Sequence, residues 1–407
     1  MKPAAARDDT RELFRALEFA HYAERFRDST FVIAMPSGKL FADLELDFKV
    51  LAGYRIKLVL VTGDPDFQLE PQILQANQRG SHFQLSLLTD LLFQPEEQSL
   101  QLDFPRVLAS LDLGRTPVIA YHRGGAEGTA GSGPAEIDAA PEGAAEGGAA
   151  ADGAIDPVYT LGGLVAARLG VSKLFLVHPL AGVLRNALPR SSVQTGELED
   201  LPDRLRGIGL PAAAPICEFI AAQLVRGIPD VVLLEGHSAQ LFREVFTYDG
   251  AGILFTATRA SRIRRAHMRD VTDMTLLLRP EVESGAILPV TVSRIEANIN
   301  NYWIYEIDGM PVGLAGLKRY GEHAELAQFT TLPRYRGHGR ARELAQFLMQ
   351  QAREQGFRYV FALSIDPRMW EFFQYLGFQP IEREALPLEW QKQYDMQRPS
   401  RALLKEL

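Results

Sequence analysis

The sequence predicts an α/β protein: a mainly parallel sheet covered by helices on both faces, followed by a second domain with a different order of elements. Three observations carry this. From residue 30 to residue 234, continuous apolar runs of strand length alternate with helically periodic segments, the pattern of strands buried on both faces. Near residue 260 the character changes, and aromatic-rich strands joined by a hairpin signal lead into one long amphipathic helix. The composition is that of globular domains, with 46% hydrophobic and 23% charged residues, and 407 residues suffice for two or three of them.

Residues 9–27 place Leu13, Phe14, Leu17 and Ala20 at helical spacing. This helix precedes the α/β pattern, so it either caps its own domain or packs on a neighbouring subunit. Strands are expected at 30–35 (TFVIAM), 56–62 (IKLVLVT) and 117–121 (PVIAY). Between them, residues 41–51 read as a helix with Phe41, Leu44, Phe48 and Leu51 on one face, and 85–92 reads as another. Residues 124–154 hold six acids, no Lys or Arg, and almost no branched or aromatic side chains. Such a segment cannot offset its own ordering entropy and is expected to be a disordered insertion within one domain. The alternation then resumes with a helix at 161–169, a strand at 173–177, a helix at 214–226 and a strand at 230–234.

The basic run 259–265 (RASRIRR) reads as a connection between domains 1–260 and 261–407. Strands follow at 301–307, 310–317 and 324–331, with Asp308-Gly309 as the hairpin turn between the first two. A helix at 340–355, a strand at 359–363 and a helix at 370–376 complete the pattern.

Several classes are excluded by composition. No run of about 20 apolar residues exists to span a membrane. Charges in the first ten residues stand where a secretory leader needs an apolar core. The single cysteine, Cys217, cannot form an internal disulfide, so a reducing, cytoplasmic setting is expected. The net charge is −8, and no long basic stripe offers itself to nucleic acid. His178, His237 and His323 show no metal-ligand spacing, and no metal is expected.

Residues 325–341 (ELAQFTTLPRYRGHGRA) carry the chemistry. They read as a strand, a Pro-marked turn, the loop Arg336-Gly337-His338-Gly339-Arg340-Ala341, and a helix. Glycines at a helix mouth let a phosphate approach the orphan N–H groups and the positive end of the dipole. Arg334, Arg336, Arg340 and Arg342 add positive charge nearby. The R-x-x-G-x-A spacing resembles the signature of the GNAT superfamily of N-acetyltransferases. The downstream Phe-rich helix ending in Leu376-Gly377-Phe378 agrees with it.

The C-terminal segment, with Leu386-Pro387, Tyr394 and Gln397-Arg398-Pro399-Ser400-Arg401, resembles that of the bacterial N-acetylglutamate synthase family, with Arg401 in place of a lysine. Residues 19–33 resemble that family's N-terminal helix and first strand, and residues 242–252 resemble a segment of amino-acid kinase folds. The resemblance covers the whole chain apart from the insertion and is weakest over residues 64–125. It implies an amino-acid-kinase-like three-layer sandwich followed by a GNAT-type α+β domain. It also implies acetyl transfer from acetyl-CoA to the α-amine of L-glutamate, the first step of arginine biosynthesis, with L-arginine as effector and a hexameric homo-oligomer.

The resemblance assigns roles to residues. Arg336, Gly337, His338, Gly339, Arg340 and Ala341 would hold the diphosphate, and the backbone of Phe329, Thr330 and Thr331 would pair with the pantetheine arm. Glu325 would accept the ammonium proton. An acid for the departing thiolate is open among Tyr375, Tyr394 and Ser364, because Phe373 stands where many acetyltransferases carry a tyrosine. Arg398 and Ser400 match glutamate-carboxylate ligands, and Lys318 or Arg294 would add a second clamp. Tyr22, Glu244, Gly250 and Gly252 match arginine-contacting segments. Phosphoryl transfer is not expected: paired glycines are missing after the first two strands, and Asp64 and Asp66 would repel phosphates. The alternatives are the same architecture acting on another amino acid, and an amino-acid and CoA sensor without turnover.

Overall fold

The computed structural model describes residues 4–63, 69–79, 83–88, 91–94, 99–121, 155–257 and 260–407. The insertion 124–154, Asp64, Asp66 and Arg259 lie outside them. The chain divides into two units. One is Tyr22–Thr258; the other is Arg259–Leu407 together with Met1–His21.

The Tyr22–Thr258 unit is built on strands β1 (Thr30–Met35), β2 (Lys57–Gly63), β3 (Gln84–Leu88), β4 (Leu91–Gln94), β5 (Ser99–Leu102), β6 (Arg115–Tyr121), β7 (Lys173–Val177), β8 (Ser192–Gln194), β9 (Asp230–Leu234) and β10 (Ile253–Thr256). Eight of them form one sheet in the order β3-β6-β2-β1-β7-β9-β10-β8. Its pairs are parallel except β9 with β10, which run antiparallel. Strands β4 and β5 form a separate hairpin. The central strands read as unbroken apolar runs because both of their faces are covered: Phe31 to Met35 and Val59 to Leu60 have no exposed surface. Helix Pro157–Leu169 lies close enough to β1 that a Cβ at Gly162 would meet that of Ala34. The expected helix at 85–92 is instead β3 and β4. Parallel pairing with β6 from Gln84 to Leu88 holds β3 in the sheet, where Leu85 and Leu88 are buried.

The second unit has a seven-stranded sheet, β11 (Ser261–Arg265), β12 (Tyr302–Ile307), β13 (Met310–Tyr320), β14 (His323–Thr331), β15 (Tyr359–Ser364), β16 (Gln379–Ile381) and β17 (Arg401–Glu406). The order is β11-β12-β13-β14-β15-β17-β16. The basic run is therefore an edge strand and not a connector. Antiparallel register sets Arg262 opposite Glu306, while Arg264 bonds both Glu306 and the buried Asp270. These carboxylates consume the charge that made the run look solvated. In the same unit, buried Arg279 pairs with buried Glu18 at 3.2 Å.

Two features of this sheet position the site. Strand β14 carries one more residue than β13 between the pairs Leu314–Thr330 and Gly316–Ala327, a bulge in which Gln328 takes φ 55°. Parallel pairing between β14 and β15 covers three residues, His323 to Glu325 against Tyr359 to Phe361, and the strands then part. Beyond that point their facing backbone edges are open.

Candidate active site

The opening between β14 and β15 leads into a cavity of about 270 Å³ lined by Phe329, Thr330, Thr331, Arg336, Ala341 and Ser364, among others. The sequence places it there because helix Arg340–Glu354 follows β14 through a short turn. Its cap residue, Gly339, has φ 76°, and no side chain caps its first turn. Gly337 is also left-handed at φ 81°. A Cβ at Gly339 would meet nothing within 4 Å. The helix mouth thus presents orphan N–H groups beside open space.

The arginines of this loop do different work. Arg336 is exposed; its Nε donates to the Thr331 carbonyl at 2.9 Å and its guanidinium pairs with Glu281. Arg340 is buried and donates to the Tyr335 carbonyl at 2.7 Å, so it braces the turn from within and does not face an anion. Arg342 points away and donates to the Tyr375 hydroxyl at 2.9 Å. Tyr375 itself is 69% exposed and lines neither cavity. Helical spacing explains this: on helix Pro367–Tyr375, Phe373 turns inward and is buried, and a residue two positions later faces out.

A second cavity, of about 410 Å³, adjoins the first through the shared residues Ala286, Ile287, Gln328, Leu363 and Ser364. Glu325 lies in it, buried, opposite Lys318 across the β13–β14 ladder, with Oε2 3.5 Å from Nζ. Tyr320 lines it too. Burial first, then the carboxylates of Glu325 and Glu389, push the Tyr320 hydroxyl well above its ordinary range. Four cations (Arg294, Lys318, Arg319, Arg398) and two carboxylates (Glu325, Glu389) line the cavity. The excess of positive charge suits an anionic small molecule.

Strand β17 brings the C-terminal residues to this place by pairing with β15, with Ser364 opposite Arg401. Tyr394, stacked on buried Trp390, donates to the Ser400 hydroxyl at 2.8 Å. Arg398 lines the cavity and donates to the carbonyls of Gly285 and Ala286 at 2.7 and 2.8 Å. Ser364 Oγ accepts from Asp366 N at 3.0 Å and lines both cavities. The structure thus brings together Glu325, Lys318, Ser364, Tyr394 and Arg398, with Ser400 behind Tyr394, and leaves Tyr375 out. His338 lies in the loop, half-buried.

Sequence reasoning missed Tyr320, Gln328 and Glu281. Tyr320 was within reach: it is two residues from Lys318, hence on the same strand face. Glu281, 55 residues before Arg336, and the bulge residue Gln328 carry no comparable local signal.

In the Tyr22–Thr258 unit, Tyr22 is buried and packs its ring 6.3 Å from that of Phe26. Glu244 is buried and its Oε2 accepts from Ala251 N at 2.8 Å and Gly252 N at 2.9 Å, fixing the turn that Gly250 makes at φ 63°. Cys217 is fully buried, and burial pushes its thiol up to about 12, so it is no nucleophile. Among the described residues, no group of three or more His, Cys, Asp or Glu is placed to hold a metal ion, and no helix is long and apolar enough to cross a membrane.

A bulged strand, a parted parallel pair and an uncapped helix mouth are together the features of an acyl-coenzyme A fold, and residues 273–378 match the model of the acetyltransferase (GNAT) family. In fold class the chain is an amino-acid-kinase-like α/β unit followed by an α+β unit of the GNAT fold. It is similar to the amino-acid acetyltransferase of Edwardsiella ictaluri, 32% identical over 169 residues, which are 41% of this chain and 38% of that one. The amino-acid acetyltransferase of Aeromonas salmonicida is 30% identical over 250 residues, 60% of this chain and 56% of its own. The chain therefore spans well under half of the first relative and just over half of the second. N-acetylglutamate synthase from Neisseria gonorrhoeae, solved with coenzyme A and L-arginine, matches with a TM-score of 0.56 over 96% of this chain and 98% of that one. At 20% identity this likeness is one of fold.

Proposed function

We propose that the chain transfers the acetyl group of acetyl-CoA to the α-amine of L-glutamate, giving N-acetyl-L-glutamate, the first step of arginine biosynthesis. The observation that carries this reading is the meeting of two cavities at the β14 bulge. One is bordered by an open strand edge and a helix mouth, the other by an excess of cations around one buried carboxylate. The names of the relatives and of the solved structure support the same assignment.

Acetyl-CoA supplies an acyl thioester. The residues present fit it: the open edge of Phe329 to Thr331 accommodates an extended arm by backbone pairing, and the Gly337–Gly339 loop with Arg336 takes its diphosphate. Glu325 accepts a proton from the acceptor's ammonium, directly or through water, with Tyr320 and Lys318 holding its carboxylate in place. A backbone N–H at the bulge stabilises charge developing on the carbonyl oxygen. Ser364 or Tyr394 is the proton donor for the leaving sulfur; Tyr375 lines neither cavity. Arg398 with Ser400, and Lys318 or Arg294 as the second clamp, receive the two carboxylates.

In this reading the first unit binds L-arginine through Tyr22, Glu244, Gly250 and Gly252 and regulates the second, and the cytoplasmic protein assembles as a hexamer linked by its N-terminal helix. Release of free thiol from acetyl-CoA, measured across a panel of amino acids, tests the activity. Glutamate is expected to give the highest kcat/KM; a better rate with aspartate or lysine rejects glutamate as the acceptor.

A further inference from the structure

Gln328 is set apart from its neighbours by four observations. It is a non-glycine residue at φ 55°, a conformation that costs a side chain about 1 kcal/mol and that glycine adopts freely. It lines both cavities. Burial raises the pKa of the Tyr302 hydroxyl, and the nearby Gln328 side chain opposes that rise. Its Oε1 is buried with no hydrogen-bond partner among the described residues.

The geometry says from which side a partner comes. Tyr302 lines the larger cavity and not the smaller one, so the amide end of Gln328 belongs to the acceptor's side. In an unbroken strand, residues three apart face opposite ways. Glu325 and Gln328 nonetheless line the same cavity, because the left-handed residue interrupts the alternation. An amide oxygen accepts and cannot donate. Of the polar groups on an acidic amino acid at neutral pH, the carboxylates only accept, and the amine alone donates. A buried acceptor without a partner costs about 1–3 kcal/mol until it meets a donor.

We propose that Gln328 is the residue that positions the acceptor amine: its Oε1 takes a hydrogen bond from the amine N–H, aiming the nitrogen at the neighbouring cavity while Glu325 takes the proton. This deepens the acetyltransferase reading and rests on it. A neutral amide suits the task, since a carboxylate there would hold the ammonium protonated.

The test uses the full-length protein with acetyl-CoA and glutamate. Gln328→Met keeps length and bulk but removes the acceptor; KM for glutamate is expected to rise about tenfold to a hundredfold, with the acetyl-CoA dissociation constant unchanged by calorimetry. Gln328→Glu is expected to move the rising limb of the kcat–pH profile about one unit to higher pH, because an added anion raises the ammonium pKa. An unchanged glutamate KM in Gln328→Met, or a loss that falls on acetyl-CoA binding instead, overturns the proposal. Should Gln328→Met not fold, as judged by its thermal melt, the Gln328→Glu profile decides alone, and an unmoved limb overturns the proposal. Absence of glutamate-dependent thiol release by the unaltered protein rejects the acetyltransferase reading itself, before Gln328 comes into question.

Discussion

Glu325 and Lys318 face each other across two strands, and Tyr320 closes the group from the same face as Lys318. Two side chains thereby fix the orientation of one carboxylate. Glu325→Gln keeps the shape and removes the proton acceptor. Turnover is expected to fall about 10²–10⁴-fold, while acetyl-CoA affinity by calorimetry stays within about twofold; matching losses in both would reject the proton-transfer role. Much at this scale was legible beforehand. Glu325, Arg336 and Arg398 stand out as charges beside glycine, proline and serine signals. The roles of the other arginines were not, because burial decides them: Arg340 and Arg342 are two residues apart on one helix, yet one braces a turn from inside and the other meets an exposed tyrosine. Tyr375 failed as a site residue for the same reason, since composition names a tyrosine but only helix rotation says where its ring goes.

The element that defines the smaller cavity is the mouth of helix Arg340–Glu354. Since a Cβ at Gly339 would touch nothing in the protein, Gly339→Ala carries a folding cost limited to its left-handed backbone, about 1–2 kcal/mol. Any larger effect must come from a ligand meeting the new methyl group. A modest fall in Tm with acetyl-CoA affinity lowered more than tenfold is the expected outcome; an unchanged affinity would place the diphosphate elsewhere. Strands and helices of this kind follow from periodicity, and most of those expected are present near their expected bounds. The exceptions are instructive. Residues 84–88 form a strand through parallel pairing with 115–119, and Ser261–Arg265 of the basic run becomes a sheet edge because Glu306 and Asp270 neutralise it from 44 and 6 residues away. Glu306 lies too far along the chain for a local window to show it.

Across the whole molecule, acid is expected to weaken the fold through buried titratable groups. His178 in the first unit is buried against Tyr159, its Nδ1 accepting from Leu180 N, and burial lowers its pKa from 6.5 to about 4. The unfolded chain therefore binds a proton that the native chain refuses between these values, and stability falls as pH drops from 6.5 towards 4. The loss from this group is at most about 3 kcal/mol. Thermal melts between pH 7 and 4.5 should show a shallower decline for His178→Gln than for the unaltered protein; identical slopes would exclude His178 as a source. His323 in the second unit, also lowered by burial, acts in the same direction. Asp270 and Glu306 are buried, which alone would raise them, but hydrogen bonds from Arg264 hold both below the ordinary range. Their contribution is present above about pH 4 and is lost below it.

The amino-acid order alone determined the class of each unit, the helix mouth after β14 and the charge types available at the site, because periodicity, glycine placement and capping act over a few residues. The tertiary structure decided the rest: the bulge at Gln328, the parting of β14 from β15, the pairing of β17 that delivers Arg398 and Ser400, and which arginines line the cavities. These depend on sheet register and on burial among residues far apart in the chain, and no local property of the sequence encodes either.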